Sequence, residues 1–193
     1  MIRALYDWVL SLAGHRRATW ALGGVSFAES SVFPIPPDLL LIPMVIAKRH
    51  RAWWLAFVCT VTSVLGGLAG YAIGAFFYDT IGQPVLAAYG KDAKFAEFAT
   101  WFNTYGSWAV FVAGVTPFPY KVITIASGVA SLDLVVFTIA SIASRGLRFF
   151  AVAGLLYFFG PSIREFIEKR LSIVFTIFVV FLIGGFIAIK YLI

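Results

Sequence analysis

Charge, cysteine and histidine are all scarce in this chain, and each scarcity removes a class of function. Of 193 residues only 12% are Asp, Glu, Lys or Arg, against 61% hydrophobic, which is too little polar surface to clothe a soluble domain of this length. The single cysteine, Cys59, excludes an intrachain disulfide and, inside an apolar stretch, reads as a small core residue. Two histidines, His15 and His50, stand beside basic residues with no Cys, His or carboxylate at ligand spacing, so no metal site is expected. There is no nucleophile elbow, no phosphate-cradling glycine loop and no Cys/His pair; no enzyme is expected, and no cofactor. Nor do the first fifteen residues, which carry Arg3 and Asp7, have the compact apolar run and cleavage site of a signal peptide. The net charge of +6 does not point to nucleic acid, because the basic residues sit at the ends of apolar segments, as topology signals do.

What the chain has instead is long hydrophobic stretches. Leu5, Trp8, Val9 and Leu12 share one helical face, so residues 1–15 read as a helix lying in the membrane interface. The stretch 18–47 is flanked by Arg16 and Arg17 before it and by Lys48, Arg49, His50 and Arg51 after it. A single crossing would put one basic cluster on the wrong side, whereas a re-entrant hairpin keeps both in the cytoplasm. Its limbs before and after Pro34, Pro36 and Pro37 would span roughly 24 and 15 Å, against a hydrocarbon core of roughly 30 Å. Residues 53–77 then read as a crossing helix with a small-residue stripe at Ser63, Gly67, Gly70 and Gly74 that admits a close neighbour.

Phe95, Phe98, Phe102 and Tyr105 mark a second interfacial helix. Residues 108–132, interrupted by Pro117 and Pro119, read as a hairpin entering from outside, followed by crossing helices at about 134–159 and 172–189. In this topology nine Lys or Arg lie on the cytoplasmic side against three outside. The expected fold is an all-α polytopic membrane protein in one domain. An interfacial helix (1–15) precedes two hairpin-plus-helix units, repeat 1 (18–82) and repeat 2 (106–160), of opposite orientation, and a final transmembrane helix (171–193) closes the chain. Between 34–47 and 117–130 only four of fourteen positions are identical, so the inverted repeat rests on pattern.

The two interruptions, Pro34-Ile35-Pro36-Pro37-Asp38 and Pro117-Phe118-Pro119-Tyr120-Lys121, lie 83 residues apart and end in opposite charges. Prolines a residue apart cannot continue a helix, and broken helices at membrane depth mark transport sites. Five ionisable residues fall at that depth: Glu29, Asp38, Lys121, Arg145 and Arg148. Each costs roughly 2.5 to 3.5 kcal/mol at a helix centre, so they must meet each other, water or a ligand. Three cations and two anions leave one positive charge over, and freed helix N-termini favour anions, which together suit a phosphate group. Arg145 and Arg148, three apart on a face with Ser141 and Ser144, could grip it bidentately. The alternative is that both arginines are structural, paired with Glu29 and Asp38. Lys121 has its own alternative in a salt bridge to Asp38, and Asp38 has one as a helix N-cap. Glu29 and Asp38 are candidate proton carriers, because a carboxylate away from water takes up a proton when its cation leaves.

Glu29-Ser30 ahead of the first proline motif, the Gly66-Gly67, Gly70-Tyr71 and Gly74 helix, Thr116 to Lys121, Gly128 and Ser144-Arg145-Gly146-Leu147-Arg148-Phe149 resemble the DedA (VTT, SNARE-associated Golgi) membrane family, in its YqaA-like branch. The resemblance covers about residues 18–160. It implies two facing re-entrant hairpins and lipid translocation: undecaprenyl-phosphate recycling in bacterial members, proton-coupled, and phospholipid scrambling in eukaryotic relatives. It also implies that Glu29, Asp38, Arg145 and Arg148 stand at the family's membrane-embedded acidic and arginine positions. Two departures are visible: Pro37-Asp38 where the family pattern has a glycine, and Lys121 where it often has an arginine, keeping the charge but not the fork.

The sequence therefore predicts a multi-pass protein of the bacterial inner membrane, a flippase moving an anionic lipid phosphate. Lys121, Arg145 and Arg148 would hold the phosphate, Glu29 or Asp38 would exchange protons, and Pro34, Pro36, Pro37, Pro117 and Pro119 would form the hairpin breaks. Its partners are an anionic lipid and protons, not nucleic acid, and a homo-oligomer is left open. An uncoupled phospholipid scramblase and a non-transporting membrane assembly factor are the alternatives.

Overall fold

The computed structural model describes residues 17–32, 36–82, 84, 92–116 and 118–160. The expected helices at 1–15 and 171–193, and the prolines Pro34 and Pro117, lie outside the described residues. Within them the chain is all helical: α1 (Ala18–Ser31), α2 (Asp38–Ala47), α3 (Ala52–Phe77), α4 (Asp92–Val115), α5 (Tyr120–Val129) and α6 (Leu134–Gly160). A 3₁₀ turn, Arg49–Arg51, leads into α3, and a π-helical turn, Tyr78–Gly82, follows it.

Helix ends follow local chemistry. Pro36 and Pro37 supply the first carbonyls of α2, accepting from Leu39, Leu40 and Leu41, at positions where a missing N–H costs nothing. Val122 likewise donates to Pro119 O at the start of α5. That helix ends in a Schellman motif: Ser131 has φ 51°, and Leu132 N reaches back to Ser127 O. Two residues on, Asp133 Oδ1 accepts from Val135 N and Val136 N and so caps α6. The chain reverses between α5 and α6 within that short link.

Packing divides into two buried clusters joined by α3 and α6. One holds Leu22 of α1, Leu41, Met44 and Val45 of α2, Ala52, Leu55, Ala56 and Cys59 of α3 and Phe149, Ala153 and Leu156 of α6. The other holds Phe102, Val110 and Ala113 of α4, Tyr120 of α5, and Phe137 of α6, with Tyr71 of α3 against it. The start of α3 therefore meets the end of α6 and the reverse, so the two long helices run antiparallel.

α1 climbs α3 in the same direction as α3 itself: Ser26 Oγ donates to Cys59 O at 2.9 Å and Ser30 Oγ meets Ser63 Oγ at 2.7 Å. α5 takes over further along, where Thr124 Oγ1 donates to Ser30 O and the Tyr120 hydroxyl lies beside Gly67. A Cβ on Gly66 would collide with Phe27 O, and one on Gly74 with Ile125 O, so these glycines let α1 and α5 lie backbone to backbone on α3. Both ends of the α1–α2 pair, Ala18 and Ile46, pack on the cluster at the start of α3. The α4–α5 pair is tied where Asn103 Nδ2, midway along α4, donates to Ala130 O and Leu132 packs at Gly106.

Two helices are long and apolar enough to cross a membrane, Arg49–Phe77 and Leu134–Gly160, close to the expected 53–77 and 134–159. Trp54, Leu65 and Phe76 on α3 and Ile139, Leu147 and Leu155 on α6 point outward, an apolar exterior that suits lipid and not water. One boundary differs from expectation. Phe95, Phe98, Phe102 and Tyr105 do not form a separate interfacial helix; they belong to α4, which continues to Val115. Gly106 does not stop it, because the space its missing side chain leaves is filled by Phe102 and Leu132.

Candidate functional site

The interrupted segments meet α6 at its two arginines. Arg145 is 1% exposed, the largest fully buried side chain described. Its Nη2 pairs with Glu29 Oε2 at 2.9 Å, its Nε donates to Ser63 Oγ at 2.6 Å, and its guanidinium lies between the rings of Tyr120 and Phe149, 4.8 and 4.7 Å from their centroids. Ser30 Oγ, already paired with Ser63, donates to Glu29 Oε2 at 3.1 Å. Arg145, Ser63, Ser30 and Glu29 thus form a closed hydrogen-bonded ring drawn from α6, α3 and α1. Tyr120 adds α5, and its hydroxyl is fixed by a 2.6 Å bond to Ser141 Oγ. A charge in a low-dielectric interior persists only when it is paired and hydrogen-bonded, and Arg145 is paired with Glu29 and bonded through Nε and Nη2.

Arg148, one turn further on, joins the two breaks directly. Its Nη2 pairs with Asp38 Oδ2 at the start of α2, and its Nη1 donates to Thr116 O at 2.8 Å, just past the end of α4. The prolines free that carbonyl by stopping the helix that would otherwise have bonded it. Arg148 and Asp38 are 20% and 19% exposed, so the pair is in reach of solvent, as is Glu29 at the edge of the ring, while Arg145 is not. Asp38 Oδ1 is buried with no partner among the described residues.

Lys121 stands apart. It is half-buried on the first turn of α5, and among the described residues its ammonium makes no ion pair or hydrogen bond. The salt bridge from Lys121 to Asp38 offered by the sequence is absent among the described residues; Asp38 pairs through Oδ2 with Arg148 instead. Asp38 does not cap its helix either. The pairing of both arginines with Glu29 and Asp38, weighed as an alternative, is what the structure contains. The surplus positive charge counted in the sequence therefore falls on Lys121. Of the proline breaks, Pro36, Pro37 and Pro119 flank helix starts as expected.

Sequence reasoning brought out the five ionisable residues but not their neutral partners. Ser30 and Ser63 were legible only as a residue beside Glu29 and a member of the small stripe, and Tyr120 only as part of a motif. Polar side chains on otherwise apolar helices were the available signal. The Thr116 carbonyl had none, being backbone.

The sequence pattern of the VTT domain matches residues 35–158. An uncharacterized protein of Haemophilus influenzae is 38% identical over 170 residues, covering 88% of each chain. An uncharacterized homologue from Histophilus somni is 39% identical over 184 residues, 93% of this chain and 96% of its own. Undecaprenyl phosphate transporter A of Staphylococcus aureus is 31% identical over 124 residues, 58% of this chain and 60% of its own. No solved structure matches.

Proposed function

The chain belongs to the VTT-domain family, and from that premise we propose that it is a multi-pass protein of the bacterial inner membrane that moves an anionic lipid phosphate between leaflets, coupled to protons. The α1–α2 and α4–α5 pairs act as re-entrant hairpins that enter from opposite sides, as an inverted repeat would. Lys121 receives the phosphate together with Arg148, whose bond to Asp38 the lipid can exchange for its own, while Arg145 keeps the hairpins in register. Glu29 or Asp38 carries the proton.

One observation supports this reading above the others: two breaks converge on a cluster in which two arginines are paired and a half-buried lysine is left over. An unpaired ammonium beside a helix start is a place for an anion. The name of the Staphylococcus aureus relative makes undecaprenyl phosphate the first lipid to test.

The test is translocation of labelled undecaprenyl phosphate in liposomes. A charge-assisted hydrogen bond is worth about 1.5–3 kcal/mol, so Lys121→Gln should slow translocation on the order of tenfold or more without lowering the melting temperature. Transport by that variant at the wild-type rate would refute the assignment. An imposed pH gradient should drive accumulation. Equilibration that ignores the gradient identifies an uncoupled phospholipid scramblase, and no translocation of any lipid identifies an assembly factor.

A further inference from the structure

Basic residues gather at one end of the molecule. Ala18 and Ile46 pack on the cluster formed by the start of α3 and the end of α6, so Arg17, Lys48, Arg49, His50 and Arg51, which adjoin them in the chain, stand together there. No carboxylate among the described residues offsets these charges. Glu29 and Asp38 are in the ion pairs of the site, and Asp79, Asp92, Glu97 and Asp133 stand toward the opposite end, past the end of α3, before the start of α6 and around the Tyr78–Phe95 stack. Arg17 and Arg51 are exposed, and among the described residues their side chains make no ion pair or hydrogen bond. Arg49 is held: its Nη2 donates to Phe158 O at 3.4 Å and its guanidinium lies 5.0 Å from the centroid of the Tyr157 ring, which fixes the turn before α3 to the end of α6 and leaves most of its donors unused.

The depth of this end in a membrane is marked independently. Trp20, Trp53 and Trp54 are exposed and stand two or three residues further into their helices than Arg17 and Arg51. Exposed tryptophans at helix ends sit at the boundary of headgroups and acyl chains. At helical rise the basic positions fall about 3–5 Å further out, at the level of the lipid phosphates. We propose that this end binds the anionic headgroups of the leaflet it meets, with Arg17 at the start of α1 and Arg51 at the start of α3 as the gripping groups and Arg49 as the fixed bridge to α6. The face lies about 15 Å along α6 from Arg148 at helical rise, so these lipids are a clamp and not the cargo. Headgroups gathered there tie the α1–α2 pair to both long helices, whether or not the protein moves lipid.

The experiment follows the melting temperature of the full chain in dodecylmaltoside micelles as dioleoylphosphatidylglycerol or dioleoylphosphatidylcholine is titrated in. A lipid that binds only the folded state raises the melting temperature, so phosphatidylglycerol should stabilise the wild type and phosphatidylcholine should not. One Lys or Arg near an anionic surface is worth about fivefold in binding. Arg17→Gln and Arg51→Gln should therefore each raise the half-saturating phosphatidylglycerol about fivefold, and the double variant on the order of twentyfold, while all three melt with the wild type when no anionic lipid is present. Lys94→Gln, which removes a like charge from the first turn of α4, should titrate as the wild type does. Equal stabilisation by phosphatidylcholine or by inorganic phosphate alone, an unmoved half-saturation in the double variant, the same loss in Lys94→Gln, or abolition of the effect by Lys121→Gln alone would each overturn the proposal. A double variant that melts below the wild type without anionic lipid assigns the two arginines to the fold and overturns it as well. Arginine-dependent stabilisation of a protein that moves no lipid supports the clamp and overturns only the transport reading.

Discussion

Replacing Arg145 with methionine keeps the volume of the side chain's stem and removes its charge, and the structure gives the cost. Glu29 would lose its cation, Ser63 its donor, and the Tyr120 and Phe149 rings the guanidinium between them. Breaking a buried pair by deleting one partner costs about 3–5 kcal/mol, mostly the penalty of the stranded charge. Because Glu29 is 17% exposed and keeps Ser30, the lower end applies, about 3 kcal/mol. For a chain of this size that is a fall in melting temperature of roughly 6–12 °C. Thermal unfolding in detergent, followed by tryptophan emission, measures it. The double variant Glu29→Gln/Arg145→Met strands no charge, and should be more stable than the sum of the two single losses by about 2 kcal/mol. If Arg145→Met melts with the wild type, or the double loss equals the sum of the singles, the ring is not a coupled unit and the reasoning from burial fails.

The α1–α3–α5 seam can be tested with glycines of opposite expectation. Gly66→Ala, whose Cβ would meet the backbone of Phe27, should destabilise by about 1–3 kcal/mol, whereas Gly24→Ala, with nothing within 4 Å, should stabilise by about 0.5–1 kcal/mol through helix propensity; the same melting assay reads both. Tyr120→Phe removes the bond to Ser141 but keeps the ring under Arg145, so it should cost about 1 kcal/mol and leave the Arg145–Glu29 coupling energy unchanged. Tyr120→Leu, which also removes the aromatic face, should weaken that coupling in the same cycle.

The long elements could be read from the chain because one cause fixes each of them. Continuous apolar composition sets the extents of α3 and α6, and paired prolines set the breaks, whatever the neighbours do. The fate of residues 92–107 could not be read that way: an aromatic face and a glycine suit either an interfacial helix or the first half of α4, and the deciding factor is Leu132 packing on Gly106 from another helix. Ion pairing was harder still. Asp38 had two cations to choose from, Lys121 at the matching end of the second motif and Arg148 on α6. Symmetry of the motifs favoured the lysine, but the axial register of α6 against α2 delivers the arginine. Periodicity places a residue on a face of its own helix and is silent about the height at which a neighbour meets it. The closed ring is a product of such heights on three helices.

The bond from Arg148 to Thr116 ends on a carbonyl, and a carbonyl belongs to every amino acid. Side-chain replacement at position 116 can therefore alter the Thr116 hydroxyl, which bonds Val112 O of α4, without deleting the tie between α6 and the second break. What can delete it is a change in where the chain bends, by inserting or removing a residue before Pro119 or by restoring the helix through it. Relatives of this protein are thus free to vary the letter at 116 but constrained in the spacing around it, and an engineer wishing to loosen the second break should change its length and leave its side chains alone.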